Sequence, residues 1–175
     1  MDKVIAHLAA LYAVAKTVEG SPIRDLKSVY EGEPEKLGES DLPALIVQPR
    51  GTTYRHEKSG SQYDVRDCRV QMRLILSRKK FYASNYGDDG NAKKVFVEEK
   101  AAEMTEKVDS SQHADNNSVV GVVQNNQTLP LAGVNASSMC LIENVEYDVD
   151  PPRERGFNSY EVTIDAVATV RGNRS

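Results

Sequence analysis

The sequence predicts a single α+β domain: a twisted, mainly antiparallel sheet with two helices packed on one face and long projecting loops. Two alternating runs and two helical stripes carry that expectation. In Arg69-Val-Gln-Met-Arg-Leu-Ile-Leu-Ser77, Val70, Met72, Leu74 and Leu76 share one parity while Arg69, Gln71 and Arg73 share the other. That is the period of a half-buried strand. The run from Tyr160 to Val170 repeats it, with Tyr160, Val162, Ile164, Ala166, Ala168 and Val170 on one face. Glu161, Thr163, Asp165 and Thr169 lie on the other, and only Val167 breaks the polar set. The two runs form the spine of one antiparallel sheet.

Taken in order, residues 2–19 read as an amphipathic helix, since Val4, Leu8, Leu11, Ala15 and Val18 recur at helical spacing. Gly20 stands as its C-terminal stop, with Pro22 just beyond. Residues 21–42 read as a polar connector. Leu42-Pro-Ala-Leu-Ile-Val-Gln-Pro49 is a short strand bracketed by prolines, and 50–61 is a loop or a hairpin tip. Tyr63 and Val65 sit on the parity opposite to Val70, which predicts a bulge near Arg66 or Asp67. Residues 79–92 form a long aromatic and charged loop. A central helix over 92–109 buries Val97, Ala101, Met104 and Val108. Ser118 to Val123 reads as a short strand. Residues 139–149 and 159–170 read as a closing hairpin with a proline-stiffened tip at 150–158. The whole chain, 1–175, reads as one domain: an N-terminal helix at 1–20, then a sheet over 42–171 that encloses the central helix.

Composition narrows function by exclusion. The net charge of −4 and pI near 5.5 speak against a general phosphate binder, which gains affinity by neutralising phosphates with Lys and Arg. No apolar run approaches the roughly 18 residues that span a bilayer. The N-terminus lacks the pattern of a secretory signal, so the sequons at Asn116, Asn126 and Asn135 read as chance matches in a cytosolic chain. Cys68 and Cys140, the two cysteines, read as buried thiols rather than a disulfide framework.

Reactive groups are scattered. His7, His56 and His113 fall on a helix, a loop and a linker, without the spacing of a zinc site. Glu143, Glu146, Asp148 and Asp150, with Asp88 and Asp89 elsewhere, offer oxygen ligands for magnesium, but an acidic strand more often serves as a solvated edge. Gly87-Asp-Asp-Gly90 is a turn and no phosphate loop, since its carboxylates would stand where phosphate sits. The sequence therefore implies no cofactor, no metal and no catalytic residue. Lys79, Lys80, Phe81, Tyr82 and Tyr86 interleave basic and aromatic residues in one loop, as single-strand nucleic-acid binders do. Arg153, Arg155 and Phe157 occupy another. Long loops without chemistry meet other protein surfaces, and these eight residues are the candidate subunit or tube contacts.

The order of elements resembles the tail-terminator and neck (head-to-tail joining) proteins of tailed bacteriophages. The features are the helix ending at Gly20, the Leu42-Pro-Ala-Leu-Ile-Val strand, the Arg69 to Ser77 strand, the helix to Val108 and the closing Tyr160 to Val170 strand. The resemblance implies a structural virion protein with no catalytic residues, assembled in the host cytoplasm as a homohexameric ring. Such a ring stops tail-tube growth, binds the tail tube protein and the head-side connector or stopper, and lets DNA pass without specific binding. Alternatives are another neck, tail-completion or tube protein, a metal-dependent enzyme using Asp148 and Asp150, and a monomeric binding module.

Overall fold

A computed structural model describes residues 1–56, 63–79, 82–84, 93–108, 113–129, 138–148 and 158–173. It is an α+β structure built on one six-stranded sheet in the order β1-β2-β3-β8-β7-β6. The strands are β1 (Ser28–Glu31), β2 (Ala44–Tyr54), β3 (Tyr63–Ser77), β6 (Thr128–Leu129), β7 (Ser138–Tyr147) and β8 (Ser159–Asn173). A separate two-stranded ladder joins β4 (Tyr82–Ser84) to β5 (Lys93–Val95). The helices are α1 (Asp2–Ala15), α2 (Val97–Thr105) and α3 (Val119–Asn125).

The centre of the sheet is the antiparallel β3–β8 pair, with 15 consecutive partners from Tyr63↔Asn173 to Ser77↔Ser159. Residues of matching parity face each other: Val70 meets Ala166, Met72 meets Ile164, Leu74 meets Val162 and Leu76 meets Tyr160. All are buried on the face covered by the helices, where each large apolar side chain contributes about 1.5–3 kcal/mol. Helix α1 supplies Val4, Ile5, Leu8 and Tyr12 to the same core. The Tyr12 hydroxyl, fully buried, donates to the Val119 carbonyl at 2.9 Å and lies 2.8 Å from Met72 Sδ. One side chain thereby ties α1, α3 and β3 together, and its phenol pKa is pushed up, chiefly by burial. Lys100 of α2 is also buried and pairs with Asp25 at 2.8 Å and Glu103 at 3.3 Å. Burial pulls its pKa down, but the two carboxylates outweigh that and hold the ammonium above its ordinary range.

Five expectations change. The connector 21–42 holds a strand, β1, parallel to β2, and a 3-10 turn at Glu39–Asp41. Tyr30 and Leu37 from this segment cover a second small cluster of Leu42, Ala44, Ile46 and Ile75 on the opposite face of the sheet. A four-residue edge strand with half-buried side chains has no alternation to read. The 50–61 segment is strand as far as Tyr54, because the hairpin continues past Pro49.

The bulge expected near Arg66 or Asp67 is absent, and β3 runs against β8 without a register shift. The irregularity lies on β2 between Pro49 and Gly51, and a second lies on β7 between Ile142 and Asn144. Gly51 has φ of +149°, a conformation open to glycine alone. Val65 keeps its parity and is buried on the face away from the helices' core.

Residues 118–123 form helix α3 rather than a strand. Ser118 caps it, its hydroxyl accepting from Gly121 N at 3.0 Å. Val119, Val120, Val122 and Val123 are all buried, so the run carries no period. Both predicted helices are shorter than expected. In α1 the Thr17 hydroxyl donates to the Val14 carbonyl at 2.7 Å and the chain leaves the helix after Ala15. Lys93–Val95 pairs as β5, which delays the start of α2 to Val97.

On the face away from the helices, polar side chains are linked across strands. Gln48 donates to Gln71 at 2.9 Å and Gln71 donates to Asp165 at 3.0 Å. Arg73 pairs with buried Glu161 at 2.9 Å and with Glu33 at 2.6 Å. Asp67 accepts from Arg55 at 2.5 Å and from Thr169 at 2.8 Å. These are charge-assisted contacts, with Arg73 on the Oε2 oxygen of Glu161 and Arg55 on Asp67, and such bonds are stronger than neutral ones.

Gly121 provides a sharp test of this packing. Glycine to alanine in a helix ordinarily stabilises by about 1 kcal/mol. A Cβ at Gly121 would stand 1.8 Å from the Asp115 carbonyl oxygen, part of the backbone that approaches α3. Gly121→Ala is therefore expected to destabilise by about 1–3 kcal/mol in chemical denaturation; a gain in stability would refute the close approach.

Candidate contact surface

The pairing of Ser77 with Ser159 brings the end of β3 and the start of β8 to one end of the sheet. The segment after Ser77 and the segment before Ser159 therefore leave from adjacent roots. Arg78 fastens the two. Its backbone N–H donates to the Asn158 carbonyl at 3.1 Å and its Nε to the Ser159 carbonyl at 2.9 Å. The guanidinium pairs with Asp148 and lies over the Tyr160 ring, 4.9 Å from its centroid. Asp148, just past β7, adopts φ of +56°, which aspartate tolerates better than most side chains. Tyr160 is held above the usual phenol range, first by burial and then by nearby Glu98, while Arg78 works the other way.

Of the sequence-predicted contacts, Lys79 is exposed in the turn beside Arg78, and the Tyr82 backbone pairs with Val95 to open β4. Lys80, Phe81, Tyr86, Arg153, Arg155 and Phe157 lie outside the described residues. The described part of 79–92 thus includes a short strand rather than loop throughout. The third projecting segment, 50–61, belongs to the β2–β3 hairpin at the opposite end of the sheet. The roots of the 79–92 and 150–158 segments thus lie together, and that of 50–61 lies at the other end of the sheet. Sequence reading missed Arg78 and its link to Asp148. The available signal was an arginine directly following a long strand, but its partners are 70 and more residues away.

The scattered reactive groups stay apart. His7 is half-buried on α1, while His56 and His113 are exposed on separate segments. Among the described residues no group of three or more His, Cys, Asp or Glu converges to hold a metal. Asp148 is engaged by Arg78, Glu143 and Glu146 are exposed, and Asp150 is outside the described residues. Among the described residues no helix is long and apolar enough to cross a membrane.

Cys68 and Cys140 are free, buried thiols, and both pair with Ala168 from its two sides. Two inter-strand spacings separate them by roughly 10 Å, too far for a disulfide. Burial pushes the Cys140 thiol up to about 11.

Arg78→Ala is expected to lower stability by about 1–2 kcal/mol through loss of charged hydrogen bonding at the roots. It is also expected to speed amide exchange at Arg78 and in the first residues of β8. Asp148→Asn is expected to change stability by under about 0.5 kcal/mol, since the Asp148 carboxylate is 56% exposed; equal effects of the two substitutions would contradict this ranking. Neither cysteine is expected to react with a thiol reagent at pH 8 until the chain is denatured, because the thiolate of Cys140 is disfavoured and both sulfurs are buried. Rapid labelling of the folded protein would disprove it. Compared with protein-family models the chain matches none, and no curated protein matches it either.

Proposed function

We propose that this chain is a structural virion protein: a tail terminator that assembles as a ring, caps the tail tube and joins it to the head-side connector. The observation that carries the reading is that β3 ends and β8 begins side by side at one end of the sheet, so that the segments after Ser77 and before Ser159 leave from adjacent roots fastened by Arg78. Recognition segments held on a rigid scaffold suit docking onto another protein surface. The order of elements, which resembles that of tail terminators, supports the same reading. So does the net negative charge, because a conduit must let DNA slide through without holding it.

In this reading Lys79, Lys80, Phe81, Tyr82, Tyr86, Arg153, Arg155 and Phe157 meet neighbouring subunits or the tube. The ring is a homohexamer located at the tail–head junction of the virion. The chain performs no catalysis and carries no cofactor, and Asp148 serves as the carboxylate partner of Arg78.

The test is to mix the purified chain with tail tubes lacking their head-proximal cap and to image the tube ends. Ring-shaped density at one end, with a light-scattering mass of the ring close to six chains, is the expected result. A chain that stays monomeric and binds no tube end would overturn the proposal. Binding along the tube wall instead would point to a tube or tail-completion component.

A further inference from the structure

The bulges on β2 and β7 fall at the same level of the sheet, on either side of the central Val70–Ala166 pair. Each inserts one residue, Arg50 on β2 and Glu143 on β7, and such insertions re-aim side chains. Both line one open cleft of about 230 Å³, with Arg69, Asn144 and Asp165. Across the sheet the charged side chains run Arg50, Arg69, Asp165, Glu143: two cations on the β2–β3 side and two carboxylates on the β8–β7 side.

These charges do not satisfy one another. Arg55, Arg73 and Arg78 each hold a carboxylate. Among the described residues Arg50, Arg69 and Glu143 hold no such partner, and all three are exposed. The same face exposes apolar side chains where β7 passes Val167: Leu141 is 43% exposed and Met139 48%.

We propose that this face pairs with the same face of a second copy, about a twofold axis parallel to the strands and midway between β3 and β8. That axis reverses the strand order and keeps the level along the strands. It sets Arg50 and Arg69 of each copy opposite Glu143 and Asp165 of the other, so a stripe that is positive on one side and negative on the other complements itself. Arg69 and Asp165 lie two residues apart along the strands, roughly 7 Å, which the long arginine side chain spans. The shapes agree as well. Gly51, Arg69, Val167 and Leu141 share one level, so the axis brings Leu141 over the second copy's Gly51. Nothing lies within 4 Å of where a Cβ of Gly51 would stand. The result is an aligned sheet-on-sheet contact, with a leucine entering the space over a glycine.

The contact involves a different surface from the loop-bearing end and stands independently of the ring reading. Sedimentation equilibrium across concentration, at low and high salt, tests it. The unmodified chain is expected to form salt-sensitive pairs, because charges at the edge of a contact are screened. Arg50→Glu with Arg69→Glu, and separately Glu143→Arg with Asn144→Lys, are each expected to weaken self-association by at least about tenfold. Far-ultraviolet circular dichroism should stay unchanged, since the altered residues are exposed. Mixing the two variants in equal amounts is expected to restore pairing between them. The proposal fails if the unmodified chain keeps a single-chain mass at every concentration, if either variant associates as before, or if mixing restores nothing. A six-chain ring unaffected by these substitutions would likewise end it while leaving the terminator reading intact. Pairing without capping of tubes would do the reverse.

Discussion

The structure depends on the register of β3 against β8. Fifteen uninterrupted pairs set Cys68, Val70, Met72, Leu74 and Leu76 beside Ala168, Ala166, Ile164, Val162 and Tyr160, on the face that α1, α2 and α3 cover. Side chains alternate strictly across a strand, so a slip of β3 by one residue would carry Gln71 and Arg73 into the core and expel Met72 and Leu74. No compensation is available at that cost. β2 and β7 then take their places against this central pair, and the helices against its apolar face.

The two faces of the sheet solve different problems. On the helix side the fully buried Tyr12 reaches Met72, and its hydroxyl is satisfied on the Val119 carbonyl. A helical turn beginning at Ser118 presents the Val119 carbonyl to Tyr12 and packs its valines against the sheet. On the other side Gln48, Gln71 and Asp165 form a chain of amides and a carboxylate, and Arg73 and Arg55 neutralise Glu161 and Asp67. Partnered polar groups keep that face ordered without a second full layer of helices. The segment 21–42 covers part of it, through Tyr30 and Leu37.

Function, in the reading adopted here, comes from the ends and the uncovered face of this scaffold rather than from a reactive cluster. Arg78 converts two separate chain departures into one supported edge, using a guanidinium that bonds a carbonyl, a carboxylate and a ring at once. The uncovered face, with its opposed charges around the two bulges, is a second and distinct surface. A protein with two such surfaces can pair with itself on one and engage a tube or connector with the other.

The strongly periodic segments were legible in the sequence: the β3 and β8 spine, the apolar stripe of α1, the buried part of α2, the closing hairpin and the burial of Cys68 and Cys140. Periodicity reports which face is buried, and these segments each bury one face. Where a segment buries all its faces or almost none, that signal vanishes. The valine run of α3 reads equally as strand or helix until Ser118 and the Tyr12 hydroxyl decide it. The short strand β1 is recognised only once β2 lies beside it. The change of parity at Tyr63 and Val65 suggested a bulge on β3, yet the sheet absorbs its irregularity at Pro49–Gly51 and Ile142–Asn144. Those sites depend on neighbours distant in the chain. The same holds for Arg78, whose partners Asp148 and Ser159 lie 70 and 81 residues away. The sequence by itself therefore determined the fold class and its apolar spine, because local period and burial are coupled. Tertiary structure alone decided the loop roots, the bulges and the charged cleft, because pairing between strands and not local period sets them.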